Sequence, residues 1–353
     1  MNKIKILGAG LSGLVAAINL SKACYDVDVY EKNEDVGMRF HGDIHSWENW
    51  SGNKNFLKEL KEMNINSKFY CVPLFKVIVT NCSKTKEIKS NQPMFYLGKR
   101  GSSPGAIDHS LKMEALGSNV KFHFRKTLPL NEANIVATGP IENEVTGFVK
   151  GILFKTDSKD DVAIVAFNDK LAFHGYSYFL TTKGSGIMCT VVQRDKSKYI
   201  NRFFEKTKRF FVEKFNLNLL ITREIGGVGS FSMKNVKKGP TLYAGEAAGL
   251  QDFLWGFGTR FAITSGYLAA QSIINNWDYI EIIETHFGKR LKAGVVNRYL
   301  WEQVLSKNDY SILINFAKLQ NKLHSLYNYN LFQRVLYPIA FSKLSTKYPK
   351  LKS

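Results

Sequence analysis

At the start of the chain apolar residues alternate with polar ones (Lys3, Ile4, Lys5, Ile6), then run at helix-forming positions through LVAAINLSKA, then alternate again in DVDVYEK. Period two predicts strands at 3–7 and 26–32, and the Ala- and Leu-rich run between them predicts a helix. After this unit the regular alternation stops. Residues 70–100 read as strands (YCVPLFKVIVT, MFYLGKRG), IDHSLKMEALG as a helix, VKFHF and NIVATGP as strands, and residues 39–50 as a loop. Four β-rich runs follow at 145–156, 162–168, 176–182 and 186–194, then the helix KYINRFFEKTKRFFVEKF. A last strand, LYAG, leads into a Gly-rich loop and an apolar helix, and the chain from Asn275 onward has mostly helical period.

The turn between the first strand and helix is GAGLSG, a G-x-G-x-x-G with Gly8, Gly10 and Gly13, and the second strand ends in Glu31. Such a turn needs Gly8 for its tightness, Gly10 so that a pyrophosphate reaches the backbone beside Leu11 and Ser12, and Gly13 for close helix–strand packing. The helix N-terminus adds amides and partial positive charge, and Glu31, next to Lys32, suits ribose hydroxyls. A dinucleotide site is expected. An NAD dehydrogenase usually continues with further βα units, whereas here a β-rich segment intervenes before LYAGEAAG. That order matches FAD-dependent enzymes of the para-hydroxybenzoate hydroxylase type, in which Glu246 returns to the cofactor opened by Gly8.

GAGLSG, YEK, KRG before a helix with Ile107-Asp108, IVATGP, HGYSYFL and GEAAGLQDFLWGFGTRFAITSGYLAA together resemble the geranylgeranyl reductase family of flavoproteins, over roughly residues 3–275. The resemblance implies an α/β fold: an FAD-binding Rossmann-like domain (1–70, 96–144, 221–276) interrupted by an antiparallel β-sheet substrate domain (71–95, 145–220), then a C-terminal helical region (277–353). It implies that Gly245 and Glu246 meet the ribityl chain, the family usually having Gly-Asp there, and that Gly256, Phe257, Gly258 and Thr259 form the loop facing the flavin ring. Thr138 and Gly139 belong to the same site, and Arg39 and Arg100 are candidates for flavin phosphates or ring. The family's Gly-Tyr-x-Trp-x-Phe-Pro stretch is matched by Gly175 and Tyr176, while Tyr178, Leu180 and Thr181 depart from it. Archaeal members carry a Cys in the loop after the second strand; this chain has RFHGDIHSWENW there.

The implied chemistry is reduction of a carbon–carbon double bond in a prenyl or related lipid, with NAD(P)H or ferredoxin as electron donor. No second glycine fingerprint marks a nicotinamide site. His41, Asp43 and His45 are the candidate proton-handling residues, because His trades protons near neutral pH. Tyr176, Tyr178 and Trp255 are expected at the substrate, with Trp47, Trp50 and Phe179 as further aromatic wall or as core. A monooxygenase on an aromatic or apolar small molecule remains open, as does a flavin-binding protein without turnover that uses its basic C-terminal region to bind a membrane or a partner. The WxWxIP signature of flavin halogenases is absent from the sequence.

Composition changes this picture in one respect. The 353 residues carry a formal charge of +19, and from position 286 onward twelve Lys or Arg face two acids. No zinc spacing, RRM-like motif or helix-turn-helix pattern accompanies the charge, which argues against nucleic acid; a surface for acidic lipids or acidic partners, a basic helical cap, and a compositional bias towards Lys and Asn without function all stay open. The four cysteines, Cys24, Cys71, Cys82 and Cys189, form no metal spacing and are expected to be reduced and mostly buried. With neither a charged leader nor an apolar run of spanning length, a cytoplasmic protein is expected, for which any membrane contact is made from the side.

Overall fold

The structure, a computed structural model, describes residues 3–52, 54–140, 145–316, 323–348 and 351. β1 (Lys3–Leu7), α1 (Leu11–Lys22) and β2 (Asp26–Glu31) form the expected βαβ unit, the strands parallel with Ile6 opposite Val29. Leu14, Val15, Ile18 and Leu20 are fully buried on α1; truncating such a leucine to alanine typically costs about 2–5 kcal/mol.

Residues 44–48, read as loop, are a strand. β3 (Ile44–Glu48) is followed by α2 (Phe56–Glu62), β4 (Cys71–Leu74), β5 (Lys76–Thr80), β6 (Thr85–Lys89) and β7 (Phe95–Lys99). β7 lies between β3 and β4 in a small antiparallel sheet, Trp47 opposite Tyr96. The Trp47 ring fills the space where Gly98 has no side chain, and packs on Phe56 and Phe69. It is core, not ligand wall.

α3 (Ile107–Gly117), β8 (Lys121–Phe124) and β9 (Ile135–Val136) return the chain to the first sheet. The large second sheet takes β10 (Val145–Lys155), β11 (Val162–Ala166), β12 (Tyr176–Thr182), β13 (Ser185–Gln193) and, after α4 (Ile200–Phe215), β14 (Leu220–Ser230). Its order is β14-β10-β13-β12-β11-β5-β6, antiparallel except for β5 beside β11. β14 starts at Leu220, the expected end of the substrate domain, so the second sheet extends past that position to Ser230. One face is sealed by α4, whose Phe204 and Phe211 join Ile152, Phe154, Phe179 and Met188. The other looks back toward the first sheet.

β15 (Lys237–Lys238), β16 (Thr241–Tyr243) and α5 (Thr259–Asn275) complete the Rossmann-like sheet in the order β15-β16-β9-β1-β2-β8. β16, β9 and β1 are parallel, so their carboxyl ends share one edge, where ligands of open α/β sheets bind. The C-terminal region is helical: α6 (Tyr279–Ile283), α7 (Lys289–Leu300), α8 (Ser311–Phe316) and α9 (Leu331–Lys347), with π-helical turns at Glu284–Gly288 and Trp301–Leu305. Its buried Arg298, paired at 2.8 Å with Glu302 of the same region, ties it to the segment before β12 by donating to the His174 carbonyl at 2.5 Å. Among the described residues no helix is long and apolar enough to cross a membrane. All four cysteines are free; Cys189 alone is fully buried, and Cys24 is exposed at a positive φ of 66°.

Candidate functional site

A cavity of about 950 Å³ runs from the carboxyl edge of the first sheet to the open face of the second. At the sheet edge Gly8 turns with φ +102°, and a Cβ there would stand 2.4 Å from the Ala137 carbonyl oxygen. One on Gly13 would be 2.0 Å from the Gly8 oxygen, whereas one on Gly10 would meet only the Ala137 oxygen at 3.8 Å. Gly8 and Gly13 are thus demanded by the protein's own packing, while Gly10 leaves open space beside the start of α1. No side chain caps α1 and no acid stands in its first turn, so its leading amides are left for a ligand.

Glu31 sits beside them, one carboxylate oxygen accepting from the Ala9 amide at 2.9 Å and the other from the Asn33 amide at 3.0 Å. Lys32, Leu11, Ser12, Thr138 and Gly139 line the same end. Gly13 and Gly245 do not line it; Gly245 is buried where a Cβ would be 2.8 Å from Ser12 Oγ.

Glu246 faces the middle of the cavity. Its oxygens accept from Gln251 at 2.7 Å and Arg39 at 3.3 Å, and burial raises its pKa against the lowering effect of Arg39. Arg39 also donates to the Val228 carbonyl, bridging the early loop to β14. The bare run Gly226, Gly227, Gly229 of β14 belongs to this wall. Neither it nor Gln251 is named by the motif reading, although glycines inside a strand signal close backbone approach. Arg100 lines the cavity with its fork committed to fully buried Asp108, at 2.8 and 2.9 Å, and its guanidinium 4.2 Å from the Phe40 ring centroid.

Gly256, Phe257, Gly258 and Thr259 lead into α5, which like α1 has no side-chain cap and no acid in its first turn. Asp252 holds this loop: it accepts from the Leu254 and Trp255 amides at 3.2 and 3.0 Å and from the Tyr327 hydroxyl at 3.2 Å. Burial pushes its pKa up to about 7. Sequence reasoning passed over it because its partner Tyr327 is distant in the chain.

The far wall is the second sheet. Tyr176, Tyr178 and Leu180 alternate onto it from β12, with Val149, Val165, Ile187 and Ile225 from neighbouring strands. Phe179 points the other way, stacked on Phe154. Tyr176 donates to the Trp255 carbonyl, and burial raises the pKa of both tyrosines, so both keep their protons. Trp50 packs edge-on against Phe95 and Phe257 without lining the cavity.

The three proton-handling candidates separate. Asp43 and His45 line the cavity; His41 is exposed, its amide donating to Asp43 at 2.7 Å. His45 is pushed down to about 3 by burial and by Arg100, which leaves it a neutral imidazole at physiological pH. Among the described residues no group of three His, Cys, Asp or Glu is placed to hold a metal ion.

Comparison with known proteins agrees with this architecture. Residues 6–56 match the NAD(P)-binding Rossmann-like domain family. Among solved structures the fold is similar to that of a geranylgeranyl bacteriochlorophyll reductase-like protein from Thermoplasma acidophilum, at TM-score 0.73 and 17% identity, covering 99% of this chain and 98% of that one. It is also similar to the flavin-dependent brominase Bmp2 (TM-score 0.66, 14% identity, 98% and 99% covered). A third is PqsL, a probable FAD-dependent monooxygenase from Pseudomonas aeruginosa (TM-score 0.60, 11% identity, 89% and 100% covered). No curated protein sequence matches the chain. The fold is that of flavin-dependent oxidoreductases and monooxygenases.

Proposed function

We propose that the protein is an FAD-dependent oxidoreductase that reduces a carbon–carbon double bond of a prenyl, geranylgeranyl-type or related apolar lipid. The observation that carries this reading is a single cavity onto which two uncapped helix N-termini open at one end and an apolar sheet face at the other. In this reading the amides of Leu11 and Ser12 hold the pyrophosphate and Glu31 the adenosine ribose. Glu246 meets the ribityl chain, and the Gly256–Thr259 loop faces the ring.

When bound, FAD supplies the redox chemistry, a hydride equivalent for one alkene carbon drawn originally from NAD(P)H or ferredoxin. The second carbon needs a proton, and Tyr178, whose pKa burial raises, is the cavity group that holds one; Asp43 lines the same cavity, and neutral His45 orients rather than protonates. The cations Arg39 and Arg100 are both engaged by carboxylates, and the sheet wall carries none among its described residues, which suits an uncharged substrate. The cluster of Tyr176, Tyr178 and Trp255 would equally seat an aromatic ring, so monooxygenation of an aromatic or apolar small molecule is the second reading. A flavin-binding protein without turnover is the third.

Anaerobic reduction of the FAD-loaded protein with dithionite, followed by addition of a geranylgeranyl lipid and then air, separates them. Reoxidation by the lipid supports the reductase. Reoxidation by air alone, with oxygen inserted into an aromatic compound, supports the monooxygenase, and failure with both leaves the non-catalytic binder.

A further inference from the structure

α9 carries its apolar residues on two faces. Ala340 and Leu344 are buried on the inner one, beside the polar Gln333 and Ser345. On the outer one Leu331, Phe332, Val335 and Ile339 are 77, 61, 71 and 52% exposed. Positions 331, 335 and 339 form one row along the helix, where a globular surface helix normally presents charge. The only ionisable side chains exposed on α9 are cations, Arg334 and Lys343. Lys347 is already paired with Glu302 at 3.0 Å. After Asp309 the sequence contains seven Lys or Arg and no acid.

We infer that this face of α9 docks on an anionic lipid bilayer, the row from Leu331 to Ile339 entering the interface while Arg334 and Lys343 meet lipid phosphates. Exposed apolar side chains flanked by cations alone are what such an interface selects, and a contiguous exposed apolar patch calls for a partner. A second copy of the chain is disfavoured by charge, since α9 itself carries no acid and a twofold contact of α9 on α9 would set the same cations against each other. The helix is 17 residues long and interrupted by Pro338, so it lies along the surface. The surface depends on none of the cavity assignments and goes beyond the reaction proposed above.

The test is co-flotation of the full chain, loaded with FAD, with vesicles of phosphatidylcholine alone or of phosphatidylcholine mixed with phosphatidylglycerol, whose headgroup gives the surface the negative potential that attracts basic segments. Binding only to the anionic vesicles is expected, weakened by salt and by Lys343→Glu, and lowered about tenfold or more by Val335→Asp with Ile339→Asp. Both aspartates face solvent, and an unchanged thermal midpoint verifies that the double variant is folded. Three results would overturn the inference: no binding to anionic vesicles; unchanged binding by the folded double variant; or a concentration-dependent dimer, or retention by polyglutamate without vesicle binding, that the double variant abolishes.

Discussion

Gly266 presses on Ser12: a Cβ at position 266 would stand 2.2 Å from the Ser12 carbonyl oxygen and 2.8 Å from its Cα. This contact lets α5, late in the chain, lie across the first turn of α1, and it is why two helix N-termini open on one cavity. Gly245 makes the same junction from the other side, against Ser12 Oγ.

Gly266→Ala is therefore expected to push the helices apart. The backbone of α1 cannot yield as a flexible side chain would, so the loss is about 1–3 kcal/mol, read as a lowered midpoint in urea unfolding. Weaker FAD binding should accompany it.

The fingerprint glycines separate into two kinds. Gly13→Ala meets the Gly8 carbonyl and should cost more than about 2 kcal/mol. Gly10 has φ −78° and ψ 179°, open to any L-residue, and its Cβ points into free space; Gly10→Ala should stay within about 0.5–1 kcal/mol of the parent. Equal losses in the two variants would contradict the packing described.

Asp252 gives a pH prediction with a definite sign. Its folded pKa, about 7, lies above the ordinary 3.8, so the folded state keeps a proton that the unfolded chain releases. Its contribution to stability is full below pH about 4 and is lost as pH rises to about 7. Asp252→Asn removes that titration, so the decline in unfolding free energy across this window should be shallower than in the parent. An identical decline would place the titration elsewhere.

His45, held neutral by burial and Arg100, should not shape activity near neutrality. His45→Asn is expected to change the rate but not the form of the pH–rate profile between about 6 and 8, the range in which an unperturbed imidazole titrates. Loss of a limb in that range would restore His45 as a proton carrier.

These expectations show where the sequence was informative. β1-α1-β2 could be read because its periodicity, glycines and terminal acid are all local, and LYAGEAAG because a strand, an acid and small residues stand together. The strand at 44–48 was hidden because its partner, 95–99, is distant, and Trp47 becomes core only when that pairing lays it over Gly98. The grip of Gln251 and Arg39 on Glu246, the commitment of Arg100 to Asp108 and the Tyr327–Asp252 bond arise from tertiary packing that no periodicity carries. His41 and His45 looked alike in the sequence. Strand formation begins at Ile44, and it turns His45 to the cavity while His41 stays in the preceding turn.

The most direct test of the central claim is the absorbance spectrum of the purified protein after reconstitution with FAD and removal of unbound cofactor, taken in parallel on the parent and on Gly10→Val. A bound-flavin spectrum in the parent and a folded but colourless Gly10→Val is the expected result, because the valine branches would occupy the space beside α1 left for the pyrophosphate. No retained flavin in the parent, or full flavin occupancy in the variant, would contradict the site assigned to this cavity.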